Sequence, residues 1–596
     1  MEYPFSWKHE TGFEPATLAL ARRYSTTEPL VRNKDILAEK FGVVNTIFNF
    51  FCMFDILHFM KKHLLVAINA KYIHFNPAVY SLRAYAKHNN PESEIEILNF
   101  TINQDTGKIV ESIYNEAADV IGFSCYIWNI SVVKECVRSL KKVMPNAEIW
   151  LGGPEVSYNA DEILNELPVR GVMIGEGEET FSELVQTYDS RSEVLPDEVN
   201  GICDNDFAGI KGLTFITSEG KVVSTPVRMP MELDRLPFYY DSLTGEEIDN
   251  HILYYESSRG CPYSCSYCLS SLDKTLRFKS IEKVKAELDF FINRKVRQVK
   301  FVDRTFNCKS EHALAIWQYI KEHDNGVTNF HFEIASETLT EEELELLCSL
   351  RPGLVRLEIG VQTTNADTLK RINRRMDIDK LKAVSTRIIK SGNIHLHLDL
   401  IAGLPEEGMD SFINSFNEIY SLHAHELQLG FLKVLKGTQI EAEAKHGEII
   451  YEDKPPYEVL KTDVLSFDDL RKLKAVEEML EIYYNSGQFV KSVEFLEKLF
   501  NTPYELYEAL AEHYRIKKYD IIQPSRLKRY DILLEFFGKI TDAGLTAEAG
   551  TVNEGDDLTE MKECLLYDLY EREELKKIPE WAGNLAEKYS RRKRKQ

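Results

Sequence analysis

Ser257-Ser258-Arg259-Gly260-Cys261-Pro262-Tyr263-Ser264-Cys265-Ser266-Tyr267-Cys268 sets three cysteines in the spacing Cys-x-x-x-Cys-x-x-Cys. Soft thiolates on one loop suit iron–sulfur chemistry. Cys261, Cys265 and Cys268 can hold three irons of a four-iron cluster. No fourth cysteine follows, so one iron stays open to a small-molecule ligand. A structural zinc knuckle needs four ligands, and no Cys or His pair follows at knuckle spacing. Tyr267 stands directly before the last cysteine.

The chain around this loop alternates strand and helix patterns. Strands are expected at Ile252–Glu256, Gln298–Val302, His331–Ile334, Val355–Gly360, His395–Ile401 and Glu426–Phe431, with helices such as Ser280–Arg294 and Glu341–Leu347 between them. Six parallel strands with outer helices make an open (β/α)6 partial TIM barrel over residues 251–440, with chemistry at the strand carboxyl ends. Those ends carry Asp303 and Asn307, Glu333 and Ser336, Glu358 and Gln362, and Gly403 and Pro405. Carboxylates and amides suit an ammonium and ribose hydroxyls, because charge-assisted hydrogen bonds are the strong ones. Cys308 and Cys348 lie about forty residues apart with no close pair, so no second cluster is expected.

The cysteine loop resembles the signature of the radical S-adenosylmethionine (SAM) superfamily. That resemblance implies a [4Fe-4S] cluster whose open iron chelates the methionine part of SAM, and reductive cleavage of SAM to a 5′-deoxyadenosyl radical. It also implies roles at the strand ends. The Asp303–Asn307 turn would face the methionine ammonium. Glu333 and Ser336 are candidates beside it, and Glu358 and Gln362 would lie near ribose or carboxylate. The turn with Gly403 and Pro405 would pass under adenine, with Tyr267 on its other side.

Residues 60–195 repeat the βαβ pattern. Strands are expected at Leu64–Ile68, Ile95–Asn99, Val120–Ser124, Glu148–Gly152 and Gly171–Ile174, with helices such as Pro77–His88 and Asn129–Val143. This is a doubly wound, Rossmann-like α/β domain, whose ligands bind at strand carboxyl ends where glycine turns admit them. Three ends qualify: Ser124 to Tyr126; Gly152, Gly153, Pro154 and Glu155; and Gly175, Glu176, Gly177 and Glu178. Ahead of a radical SAM loop, these turns resemble a cobalamin-binding domain. The Asp-x-His-x-x-Gly motif of many such domains is missing from Asn69–Asn76, so cobalt would lack that histidine; His74 is the one imidazole in the stretch.

Residues 196–250 read as a linker. It holds a hairpin (Leu213–Thr217, Val222–Ser224), then Pro226, Pro230 and Pro237, without a core of its own. Residues 441–596 read as a helical domain of unknown function, amphipathic at Ser466–Ser486, Ser492–Leu499 and Pro503–Lys517, with aromatics placed as helix core.

Residues 1–59 are set apart. Gly12-Phe13-Glu14-Pro15 and the stretch to Glu28 resemble a translation across a transfer-RNA gene, so the reading starts the protein at Met60 and treats the preceding segment as spurious or disordered. The apolar run Val43–Met60 is broken by Asn45, Asn49, Asp55 and His58, a poor membrane span.

A net charge of −23 disfavours broad nucleic-acid binding. Ten cysteines in 596 residues make no disulfide framework, which points to a reducing cytoplasm, and an open cluster suits anaerobic conditions. The expected function is cobalamin-dependent radical SAM methylation of an unactivated carbon in an unknown, small-molecule substrate, with a flavodoxin- or ferredoxin-like electron donor. Radical cyclisation or rearrangement without methyl transfer, or a non-catalytic cobalamin/SAM sensor, are the alternatives. No catalytic residue is singled out.

Overall fold

The computed structural model describes residues 61–191, 204–542, 554–572, 579–583 and 585; the expectation about residues 1–59 lies outside them. The described residues of 61–189 and from 204 onward form one compact unit. Among the described residues no helix is long and apolar enough to cross a membrane.

The first sheet is built on β1 (Lys62–Asn69), β2 (Glu94–Thr101), β3 (Val120–Ser124), β4 (Glu148–Gly152) and β5 (Gly171–Met173), parallel in the order β2-β1-β3-β4-β5. Strand β1 is a continuous apolar run from Leu64 to Ile68 because both its faces are covered. Leu65 and Ala67 pack into one core layer with Trp150, while Leu64, Val66 and Ile68 enter the other with Ile121, Phe123 and Leu151. This two-sided burial is the doubly wound arrangement.

The stretch expected as a linker differs. β6 (Leu213–Ile216) pairs antiparallel with β5 and with β7 (Val222–Ser224), so the hairpin extends the first sheet to seven strands. Phe215 and Phe207 supply the reason: both are buried, Phe207 packed on Trp150 and Phe215 on Phe207, with the Arg170 guanidinium 5.0 Å above the Phe207 ring. The proline-spaced chain after it also carries core. Phe238, Tyr239 and Tyr240 stack between Phe75 on one side and Phe290 and Phe291 on the other, tying the first domain to the first helix of the second.

The second sheet holds β8 (Leu253–Tyr255), then β11 (Gln298–Phe301), β12 (Asn329–Glu333), β13 (Val355–Gln362), β14 (His395–Ala402) and β15 (Glu426–Phe431). All pairs are parallel and neighbours follow chain order, giving the expected open six-stranded barrel. A short ribbon of β9 (Ser258–Arg259) and β10 (Arg277–Phe278) carries the cysteine loop. Alternation divides the strands: in β13 Val355, Leu357, Ile359 and Val361 are buried, while Arg356, Glu358, Gly360 and Gln362 are half-buried on the other face.

The C-terminal region is mostly helical, with one antiparallel pair, β16 (Ile449–Tyr451) and β17 (Val459–Thr462). Tyr483, Phe489, Tyr504, Tyr507 and Tyr514 are buried, as expected of helix core. The helix Phe467–Leu480 ends in a wider turn over Glu481–Asn485. There the Asn485 amide bonds both the N–H and the carbonyl of Leu427 at 2.9 Å, satisfying backbone on the edge strand β15.

Candidate active site

The cysteine loop is shaped by backbone first. Gly260 has φ +91°, and a Cβ there would come within 2.5 Å of the Thr275 carbonyl. Glycine is therefore needed where the loop leaves β9. The Cys261 N–H donates to the Asp273 carbonyl, and the Ser266 N–H to the Ile372 carbonyl. Cys261 and Cys265 are buried and Cys268 is half-buried; all three are free thiols. Burial pushes the Cys265 thiol up, Arg374 draws it down, and the neighbouring Cys268 and Cys261 sulfurs raise it. The other two sulfurs are thus near enough to act on the Cys265 thiol. Their donor chemistry fits a cluster.

Arg374 completes this wall, and sequence reasoning missed it. Its Nη1 lies 3.7 Å from Cys265 Sγ, and its Nη2 donates to the Gly360 carbonyl. Arg374 Nε and the nearby Gln362 Oε1 are buried without hydrogen-bond partners. Orphaned polar atoms of this kind suit a polar ligand. Tyr267 packs against the core here, and burial raises its hydroxyl pKa.

The other strand-end residues take different positions. Asp303 accepts from Ser257 N–H (3.0 Å), Ser257 Oγ (2.6 Å) and Ser258 Oγ (2.5 Å), and burial still pushes its carboxyl up to about 6. It braces the strand that precedes the cysteines. Asn307 clamps both the carbonyl and the N–H of Ala335, beside the fully buried Ser336. Glu333 and Glu358 turn to the inner face of the barrel, where Lys300 Nζ lies 3.6 and 3.1 Å away. Gly403 has φ +86° and abuts Val459 of β17, with Pro405 buried behind it.

The first domain's turns converge. Ser124, Tyr126, Gly152, Gly153, Pro154, Gly175, Glu176, Gly177 and Glu178 all line a cavity of about 540 Å³. Gly153 has φ +112°, and a Cβ would lie 2.5 Å from the Cys125 carbonyl; Gly175 has φ +77° and nothing within 4 Å of its Cβ position. The result is a backbone cradle that a side chain would fill. Burial pushes the Tyr126 phenol up to about 12. Glu155 turns away and accepts from Tyr457 Oη at 2.8 Å, linking this turn to the C-terminal region. His74 does not line the cavity; its Nδ1 meets Tyr254 Oη at 2.8 Å.

The opposite wall of the same cavity belongs to the barrel: Glu256, Arg259, Gly260, Leu269, Asp273 and Arg304 among others. Arg259 joins the walls. It reaches Glu256 (2.9 Å), Glu178 (2.5 Å) and Glu176 (3.5 Å), while Arg277 holds Glu176 at 2.5 Å. Burial works to raise the Glu178 carboxyl, but Arg259 overcomes it and holds the group ionised below its ordinary range. Arg259 sat inside the cysteine motif, yet only the fold brings it to Glu178.

Comparisons with known proteins match this geometry. Residues 64–185 match the B12 binding domain, residues 255–419 the radical SAM superfamily, and residues 444–596 a protein family of unknown function (DUF4080). The chain thus carries a B12-binding match ahead of a radical SAM match. The chain is 24% identical over 405 residues to the cobalamin-dependent radical SAM methyltransferase TokK of Streptomyces tokunonensis, covering 63% of this chain and 56% of TokK. It is 22% identical over 346 residues to an anaerobic magnesium-protoporphyrin IX monomethyl ester cyclase of Rubrivivax gelatinosus, covering 56% of this chain and 60% of the cyclase. The chain thus spans somewhat over half the length of these relatives. Among solved structures, the cobalamin-dependent SAM radical enzyme OxsB with aqua-cobalamin bound shares the fold, with TM-score 0.57 at 15% identity over 86% of this chain and 84% of that one.

Proposed function

We propose that the protein is a cobalamin-dependent radical SAM enzyme that cleaves SAM reductively and methylates an unactivated carbon of a small molecule. The observation that carries this reading is the shared cavity: the glycine cradle of the first sheet and the base of the cysteine loop are two walls of one chamber. When bound, the [4Fe-4S] cluster, SAM and cobalamin supply the electron, radical and methyl chemistry. The chain supplies positions and fixed charges. Cys261, Cys265 and Cys268 would hold the cluster, and Arg374 would fix the Cys265 sulfur against the Gly360 carbonyl. Gln362 and Arg374 would turn their orphaned polar atoms to SAM, and Tyr267 would shield it. The backbone at Gly152, Gly153 and Gly175 would admit cobalamin, with Ser124 and Tyr126 beside it. Arg259 would keep the two walls in register. Asp303 and Asn307 serve best as braces for these strand ends.

A flavodoxin- or ferredoxin-like donor would reduce the cluster in a reducing cytoplasm. The test is anaerobic reconstitution with iron, sulfide and cobalamin, followed by SAM and a low-potential reductant. Formation of S-adenosylhomocysteine that requires cobalamin supports methyl transfer. The cyclase relative favours one second reading, radical cyclisation without methyl transfer; 5′-deoxyadenosine without cobalamin-dependent S-adenosylhomocysteine would select it.

A further inference from the structure

The inner face of the barrel carries a polar ladder that the cluster and the cradle do not use. Strand register sets Glu333 beside Glu358, Glu358 beside His397, and Gly360 beside Asp399, with His331 one row below. Ligand atoms of Glu358, His397 and Asp399 all lie within 4.8 Å of one another. His331 Nε2 is 3.2 Å from Glu358 Oε2, and His397 Nε2 is 2.9 Å from Asp399 Oδ1.

These close pairs are not aligned as hydrogen bonds. His331 Nε2, His397 Nε2 and Asp399 Oδ1 are all buried without a hydrogen-bond partner. Unpaired buried polar atoms are rare because each forfeits its solvation. Two of them, His397 Nε2 and Asp399 Oδ1, belong to the close group with Glu358, which points to a shared occupant. Charge points the same way. Lys300 is held between Glu333 and Glu358, and the ion-pair partner of Asp399 is the titratable His397.

We propose that Glu358, His397 and Asp399 form a site for a divalent first-row transition-metal cation inside the barrel, with His331 bracing Glu358 from the row below. Metal–donor distances of about 2.1 Å place neighbouring donors roughly 3–4 Å apart, close to the spacing here. One imidazole and two carboxylates without thiolate favour cations such as zinc, cobalt or manganese over calcium. The donors sit on central strands, so the site is rigid. Glu358 and Asp399 are half-buried, which leaves a path for exchange with solvent, while His397 is buried. A position left open on the cation would take an oxygen donor of a bound molecule.

The proposal stands apart from the cluster and is tested without it. The full chain with Cys261→Ala, Cys265→Ala and Cys268→Ala is stripped with chelator and titrated anaerobically with zinc alone and with cobalt alone. The expected result is one equivalent of either metal per chain, with visible cobalt bands. In that background His397→Ala or Asp399→Asn should weaken binding at least about tenfold. Lys300→Gln should tighten it by removing a competing cation. Failure to bind either metal, or binding unchanged in both ligand variants, overturns the proposal. Weaker binding in Lys300→Gln also overturns it, and assigns the ladder to an ion-pair network or to an ammonium group of the substrate. If the triple-alanine chain lacks the wild-type circular dichroism spectrum, elemental analysis of the holoprotein with and without His397→Ala decides the same point. The expected difference is one equivalent of non-iron metal; no difference overturns the site.

Discussion

The two sheets present themselves to ligands in opposite ways. At its carboxyl ends the first sheet offers backbone: Gly152, Gly153, Gly175 and Gly177 open a cradle in which side chains would be in the way. The barrel offers side chains, both at the cysteine loop and along an inner face of alternating charge. A broad cofactor can be received on a surface kept clear of side chains. A cluster and a small polar ligand need named atoms at fixed distances. The contrast makes the two halves fail differently under substitution.

Arg259 is where the halves meet, and its loss should have the largest effect on stability. Arg259→Met leaves Glu178 and Glu256 without their cation, and breaking a buried pair of this kind costs about 3–5 kcal/mol. The expected outcome is a clear drop in thermal midpoint with loss of cobalamin binding. Cobalamin binding and stability both at wild-type levels would break the link drawn between the sheets.

Glu407 tests the barrel side through pH. It is fully buried and accepts from Thr363 Oγ1 and Ser415 Oγ; burial pushes its carboxyl up to about 7, against the hydrogen bonds that lower it. A carboxyl raised in the folded state binds its proton more tightly there than in the unfolded chain. Its stabilisation is thus full below the unfolded value and is lost as pH rises through about 7. Glu407→Gln should remove that loss, about 3 kcal/mol at most by pH 8, as read by denaturant unfolding across pH.

The cradle should yield to a single methyl group. Gly153→Ala puts a Cβ against the Cys125 carbonyl at a φ of +112° and should cost about 1–3 kcal/mol, with weaker cobalamin binding by titration. An alanine at the barrel's exposed Glu341 should leave cobalamin binding unchanged. The smallest effect is expected at Tyr457→Phe, which removes one hydrogen bond to buried Glu155 and should cost about 1–2 kcal/mol in unfolding free energy.

Much of this was legible in the sequence, for physical reasons. Glycine turns after apolar runs mark strand ends by residue type, so the cradle was visible residue by residue, except that Glu155 turns out of it toward Tyr457. The alternation in His395–Ala402 was visible too, but attention to strand ends passed over what an inner face of His397 and Asp399 implies. Arg374 was hidden because a loop residue has no period to betray it. The hairpin at 213–224 was visible as a hairpin, whereas its pairing with β5 depends on Phe207, Phe215 and Trp150 meeting in space.

The most direct test is SAM cleavage by the reconstituted protein and by its three single Cys→Ala variants. The account predicts 5′-deoxyadenosine from the wild type under a low-potential reductant, none from the Cys261, Cys265 or Cys268 variants, and cobalamin binding retained in all three. Cleavage that persists without any one of these cysteines would contradict it.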